Sequence, residues 1–122
     1  GFGLAGHLME MLRASDVAAE LRMADIPLLP GAAELLSEGL ESTLTPANRS
    51  VEAEMDSDES LRDSPPYPAL FDPQTSGGLL LAVPERHVNA CVSRMGETTP
   101  WKPVVIGRVL AEPGGGRSLR IV

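Results

Sequence analysis

A charged, proline-containing stretch from Glu41 to Pro68 divides the sequence into two groups of regular elements, and it constrains the fold more than any other feature. The hydrophobic periodicity that predicts helices and strands fades at its start and returns only at Leu70. We expect a long acidic surface loop over 41–68, part of it disordered, because such a segment can bury little apolar area. The fold must therefore assemble elements from both sides of this interruption.

Before the interruption, the sequence predicts a helix, a strand and a second helix. Leucines recur at helical spacing over about 4–13, which is typical of an amphipathic helix. Apolar and polar residues alternate over 17–23, the period of a strand with one buried face. A short helix is predicted over 32–40, with Gly39 near its end.

After the interruption, the sequence predicts three strands and one helix. The run 79–83 is continuously apolar and indicates a strand covered on both faces. A helix begins at Pro84 and is expected to end at Gly96. Two further strands, 104–110 and 117–122, flank a glycine-rich turn at 112–116 and are predicted to pair as a hairpin.

This order of elements favours an α+β fold of the layered α/β/α type, with a mixed sheet and helices packed on it. The 122 residues are enough for a single domain spanning 1–122. Aromatic residues make up only 3% of the chain, so we expect an aliphatic core. The sequence opens without Met and inside a glycine motif, from which we expect a fragment of a larger, two-domain protein.

The charge distribution excludes several classes of partner. The formal net charge is −7, and the segment from Glu52 to Asp63 holds six acids against one base, Arg62. Such a surface offers no basic footprint for nucleic acid or anionic lipid. A single cysteine, Cys91, excludes a disulfide framework and a cysteine zinc cluster. No apolar run approaches the ~20 residues that span a bilayer, and we expect a cytoplasmic protein.

The first motif is G-F-G-L-A-G at residues 1–6, which matches the pattern G-x-G-x-x-G and leads into the first predicted helix. Glycines there can bring backbone N–H groups close to a phosphate. A dinucleotide site also needs a strand before the motif, and none is present, so the glycines can equally serve close packing. His7 follows directly and shares a helical face with Glu10, but two such side chains do not make a metal site.

The second motif is F-D-P-Q-T-S-G-G-L at residues 71–79. Thr75 and Ser76 supply hydroxyl groups, while Gly77 and Gly78 permit positive φ and expose bare amides before a predicted strand. This loop could bind an anion or could simply be a tight entry into the strand. No Walker lysine and no Ser/His/Asp constellation is present, so no catalytic residue is assigned.

Together the two motifs resemble the signatures of the selenophosphate synthetases, T-G-F-G-x-x-G-H-L and D-P-Q-T-S-G-G-L-L. The related aminoimidazole ribonucleotide synthetases share a weaker version of the second. Between the motifs, the segment 26–32 is similar to the P-L-L-P-G-A element of the family, and Gly107–Val109 is similar to its closing I-G-x-V strand. The order agrees, apart from the acidic excursion, and the resemblance covers nearly the whole chain.

The resemblance implies a C-terminal domain of a layered, partly ferredoxin-like fold. The family makes selenophosphate from selenide, ATP and water, releasing AMP and phosphate, and its full-length members are homodimers. ATP and magnesium would be held mainly by an N-terminal domain, with no cofactor bound tightly to this chain and no catalytic or metal residue in it. The candidates for a position near substrate or phosphate are the motif residues Gly1, Gly3, Gly6, His7, Thr75, Ser76, Gly77 and Gly78.

Two departures from the family pattern leave other functions open. The family's G-T-x-x-N element is reduced here to Thr45 and Asn48, and the acidic run over 52–63 looks inserted or diverged. One alternative is another ATP-dependent synthetase of the same superfamily, acting on a purine precursor or a thiamine phosphate. Another is a non-catalytic docking module whose acidic run binds a basic partner.

Overall fold

The computed structural model describes residues 1–111 and 118–122 and has an α+β architecture, as predicted. Its strands are β1 (Ala18–Leu21), β2 (Met55–Ser57), β3 (Gly107–Leu110) and β4 (Leu119–Ile121). The α-helices are α1 (Gly3–Ser15), α2 (Ala32–Ser37), α3 (Thr45–Asn48), α4 (Glu59–Arg62) and α5 (Val88–Thr98). Short 3-10 helices occupy Met23–Asp25, Arg49–Glu54, Tyr67–Leu70 and Glu85–His87.

The four strands form one mixed sheet in the order β2-β4-β1-β3. β1 is antiparallel to β3 and parallel to β4, and β4 is also parallel to β2. Leu119 of β4 is in register with Ala19 on one side and with Met55 on the other. The predicted hairpin between the last two strands is therefore wrong, because β1 lies between β3 and β4. The predicted turn at 112–116 lies outside the described residues.

Helix α1 is the helix predicted at the start of the chain, and it packs on the core. Its buried residues include Leu8 and Leu12, as the leucine spacing indicated, together with Ala5 and Met9. The helix ends at Asp16, which adopts the left-handed conformation (φ 52°) and returns its backbone N–H to carbonyls of the last turn. Asp tolerates this conformation better than most residues, so the helix stops directly before β1.

The core is mostly aliphatic, as expected, and two aromatic side chains are buried within it. Tyr67 and Phe71 are 1% and 0% exposed, and their rings meet edge to face with centroids 5.4 Å apart. Few aromatic residues are present, but two of them are among the largest fully buried side chains. Aliphatic side chains from α1 and the sheet complete the cluster around them.

The segment 41–68 is not the long loop that its composition predicts. It contains α3, β2 and α4, and β2 forms one edge of the sheet. Val51 and Met55 are buried in the core cluster despite the acids that surround them. Burial of a few apolar side chains and pairing of β2 with β4 stabilise this segment despite its many charged residues. Local sequence alone cannot reveal that pairing.

The predicted strand over 79–83 is wrong as well. These residues form no strand, and Leu79 and Leu81 are 84% and 52% exposed. Helix α5 follows as expected but continues past Gly96 to Thr98. Cys91 is half-buried on this helix, with its thiol 3.7 Å from the sulfur of Met95. In the described range 72–111 no residue is buried.

Among the residues that the structure describes, no helix has the length and apolar character needed to cross a membrane.

Candidate functional site

The two glycine motifs, far apart in the sequence, meet in the structure. Gly1 lies against Pro73, so that a Cβ on Gly1 would approach the Pro73 Cβ to 2.8 Å. Gly3 has φ +71°, and a Cβ there would lie 2.6 Å from the carbonyl oxygen of Leu70 and 2.7 Å from the Cα of Phe71. The glycines of the first motif thus allow one backbone to lie directly on the other, which is the close-packing role of glycine.

A side chain outside both motifs connects them. The Nδ2 of Asn48, at the end of α3, donates to the carbonyl oxygen of Gly1 at 3.0 Å and to that of Phe71 at 2.8 Å. These distances are normal for N–H···O hydrogen bonds. The amide of Asn48 therefore joins the first residue of one motif to the first residue of the other.

Arg49 holds α3 against the same region. Its guanidinium carbon lies 5.0 Å from the centroid of the Phe71 ring, within the range of a cation–π contact. The same guanidinium makes ion pairs with Glu41 and Glu52, each at 3.1 Å. These three contacts fix the side chain of Arg49, which directly follows Asn48 in the sequence.

His7 lies on the exposed side of α1, beside the first motif. Its Nδ1 lies 3.5 Å from Glu10 Oε2, so the predicted shared face is present. Its ring centroid also lies 5.5 Å from that of Phe2. Phe2 in turn covers Gly6, where a Cβ would approach the Cβ of Phe2 to 2.6 Å. Gly6 thus gives Phe2 room to pack over the start of the helix.

A groove of about 350 Å³ runs beside the first motif, between α1 and the segment that follows α3. Phe2 and Gly6 form one wall, and Asn48 and Val51 form part of the other. Arg13 and Glu54, which form an ion pair, also line the groove. The groove is open and carries both apolar and charged groups.

The turn of the second motif, Thr75–Gly78, extends away from this contact into solvent, and all four residues are exposed. Its left-handed residue is Ser76 (φ 54°), whereas neither Gly77 nor Gly78 has a positive φ, contrary to the expected role of the glycines. A Cβ on Gly77 would approach the Gln74 Cβ to 2.8 Å, but one on Gly78 would meet no atom within 4 Å.

The site lacks the donors that a metal ion requires. Across residues 1–111 and 118–122, no group of three or more His, Cys, Asp or Glu side chains is arranged to hold a cation. The magnesium that the resemblance implies does not fit a donor set from these residues alone.

Sequence reasoning identified the two motifs but missed Asn48 as a site residue. Its signal was its place in the reduced G-T-x-x-N element, together with Thr45. Thr45 is 0% exposed, and its hydroxyl has no hydrogen-bond partner among the described residues. Asn48 therefore belongs to the site through its tertiary contacts, whereas Thr45 is buried and has no side-chain hydrogen bond to the site among the described residues.

Several curated proteins are similar in sequence to this chain. A selenide, water dikinase of Nitratidesulfovibrio vulgaris (strain DP4) is 41% identical, with 97% of this chain and 33% of the relative covered. Similar enzymes of Geobacter sp. (strain M21) and Clostridioides difficile (strain 630) are 35% and 31% identical; each match covers 100% of this chain and 34% of the relative. The chain spans about a third of the length of the curated relatives it matches.

The family described as AIR synthase related protein, C-terminal domain, matches residues 1–120, which is nearly the whole chain. That range includes both glycine motifs, α3, strands β1 to β3 and the first two residues of β4. The chain therefore belongs to the family of AIR synthase related protein C-terminal domains.

Proposed function

We propose that this chain acts as the C-terminal domain of a selenide, water dikinase, within a longer cytoplasmic protein that forms selenophosphate. The proposal is supported by the relatives of that name and by the two motifs of the resemblance. In this proposal, ATP and magnesium are held mainly by an N-terminal domain, and the full-length protein is a homodimer. Residues 1–122 form one domain of it.

The observation that carries the proposal is the contact between the two motifs. Gly1 and Gly3 lie directly on Leu70, Phe71 and Pro73, although some seventy residues separate them in the sequence. If both motifs serve one reaction, they must share a surface, and this contact provides it.

Within this function, the exposed turn Thr75–Gly78 is proposed to face the phosphoryl group that is transferred. Backbone amides and hydroxyl groups in a solvent-exposed turn can donate to an oxyanion. The test in the full-length protein is Gly78→Ala, since the added methyl group meets no atom of the described residues within 4 Å. We expect a lower kcat with an unchanged melting temperature; unchanged kinetics would remove the turn from the mechanism.

The function itself is tested by incubating the full-length protein with ATP, magnesium and selenide under anaerobic conditions. We expect ATP consumption that depends on selenide, with selenophosphate, AMP and phosphate resolved by phosphorus NMR. Absence of selenide dependence, in protein shown to be folded, would overturn the proposal. The second candidate is another synthetase of the superfamily. ATP consumption that depends on a purine precursor or a thiamine phosphate instead of selenide would favour it.

The isolated chain is expected to be inactive in the same assay. Phosphoryl transfer needs cations and carboxylate-held metal to neutralise developing charge, and the described residues supply no such cluster. ATP turnover by the isolated chain above the blank rate would contradict this expectation.

The acidic run is less suited to docking than its composition indicates. Glu52 pairs with Arg49, Glu54 with Arg13, and Asp56 with Arg120, so half of its six acids are used within the domain. Deletion of residues 52–63 would test the docking hypothesis poorly, because it would also remove β2. Substitutions provide a milder test. Replacing Asp58, Glu59 and Asp63 by their amides should leave partner binding unchanged in this proposal.

A further inference from the structure

The carboxamide of Asn48 makes two hydrogen bonds from one atom. Its Nδ2 lies 3.0 Å from the Gly1 carbonyl oxygen and 2.8 Å from the Phe71 carbonyl oxygen. A primary amide nitrogen carries two N–H groups, so each carbonyl receives its own donor. The side chain is half-buried, and water therefore competes only partly for these bonds.

The chemistry of the two acceptors requires an amide at this position. If the carboxamide were turned over, its oxygen would face two carbonyl oxygens, which cannot donate. A carboxylate would do the same and would add a negative charge. Among uncharged side chains, only Asn and Gln present two donors on one atom, and Gln is longer by one methylene.

Two neighbours on the same segment, Arg49 and Thr45, hold Asn48 in position. Arg49 anchors the helix end through Glu41 and Glu52 and lies over the Phe71 ring. Thr45, one turn earlier, is fully buried. A side chain held in this way fixes the geometry of the groups that it binds.

We propose that Asn48 is a positioning residue that sets the separation between the first glycine motif and the start of the second. The proposal rests on the proposed function, in which both motifs lie at one site of phosphoryl transfer. Loss of the two hydrogen bonds would let Gly1–Gly3 shift relative to Phe71–Pro73. Small displacements of positioning groups can lower rates by up to about a hundredfold.

The test compares Asn48→Asp with Asn89→Asp in the full-length protein. Both variants exchange an amide for a carboxylate, but Asn89 is exposed on α5. We expect Asn48→Asp to accelerate amide hydrogen exchange at Phe2–Leu4 and at 72–76, and to lower kcat about tenfold or more with the KM for ATP little changed. Asn89→Asp should match the wild-type protein in both measurements.

The conservative variant Asn48→Gln separates positioning from stability. It keeps both donors, so we expect it to recover part of the kcat that Asn48→Asp loses. A merely structural residue would instead lower the melting temperature in both variants and leave kcat of the folded enzyme unchanged. That result, or unchanged exchange at both motifs in Asn48→Asp, would overturn the proposal.

The readouts also distinguish this proposal from the proposed function. If the wild-type full-length protein consumes no ATP with selenide, the function is wrong, and the exchange experiment still decides whether Asn48 ties the motifs together. If the wild-type protein is active and exchange is unaffected by Asn48→Asp, the function stands and the positioning role is wrong.

Discussion

Gly3 combines two properties that no other residue type supplies at its position. Its φ of +71° lies in the left-handed region, and the backbone of Leu70 and Phe71 occupies the space that a side chain would need. Backbone atoms cannot move aside as the end of a flexible side chain can. The contact between the two motifs therefore depends on glycine for both conformational and steric reasons.

We expect Gly3→Ala to lower the free energy of unfolding by about 2–4 kcal/mol, from left-handed strain and from overpacking against backbone. Urea denaturation followed by circular dichroism measures the change. Gly78→Ala is the matched control, since it meets no atom within 4 Å and has no positive φ. Equal stability of the two variants would contradict this account.

Thr45 illustrates the opposite case, a polar atom without a partner. Its side chain is fully buried, and no hydrogen bond satisfies its hydroxyl among the described residues. We expect Thr45→Val to raise the free energy of unfolding by about 1 kcal/mol, because a methyl group replaces an unsatisfied hydroxyl of similar size. Thr45→Ala should lower it by leaving a cavity. A destabilised Thr45→Val would show that the hydroxyl has a partner.

At the scale of elements, local signals predicted the helices better than the sheet. The leucine spacing of α1 and the proline that precedes α5 are properties of short segments, and both helices are present. Strand β2 is missed because its place in the sheet depends on β4, far along the chain. The same limit applies to the site: the motifs are visible in sequence, whereas the bridging role of Asn48 exists only in the folded chain.

Two glycines, one just after a helix and one inside a helix, have opposite roles, and a pair of substitutions tests them. Gly39 follows α2 with φ +80°, and its N–H bonds to Leu36 O while that of Leu40 bonds to Leu35 O, which is a Schellman motif. Gly96 lies inside α5, where a Cβ would make only an ordinary contact of 3.9 Å.

We expect Gly39→Ala to lower the free energy of unfolding by about 1 kcal/mol, because alanine is strained in the left-handed conformation. Gly96→Ala should raise it by roughly 0.5–1 kcal/mol, the gain in helix propensity. Thermal unfolding of both variants gives the comparison. Changes of the same sign would contradict the assignment of the two positions.

At the scale of the molecule, burial is uneven along the chain. The core comes from residues up to Phe71 and from β4, whereas the described range 72–111 contains no buried residue. Trp101 is 74% exposed in this range, and Val104, Val105 and Val109 are each more than two-fifths exposed. Large exposed apolar surfaces mark places where proteins contact other molecules or other parts of the same protein.

We expect acrylamide to quench the fluorescence of Trp101, the chain's one tryptophan, almost as efficiently in the folded isolated chain as after unfolding in urea. Because the indole ring is already exposed in the folded chain, unfolding adds little to its accessibility to acrylamide. Stern–Volmer constants in the two states provide the measurement. A severalfold rise on unfolding would show that the indole is covered in the folded chain.

The placement of β4 between β1 and β2 has a consequence for synthesis of the protein. During translation, β1 and β2 emerge long before the strand that joins them, and they do not pair with each other. Pairings between distant parts of a chain slow folding. The nascent chain thus carries unsatisfied strand edges until Ile121 clears the ribosome exit tunnel, and chaperone capture should be greatest in that interval.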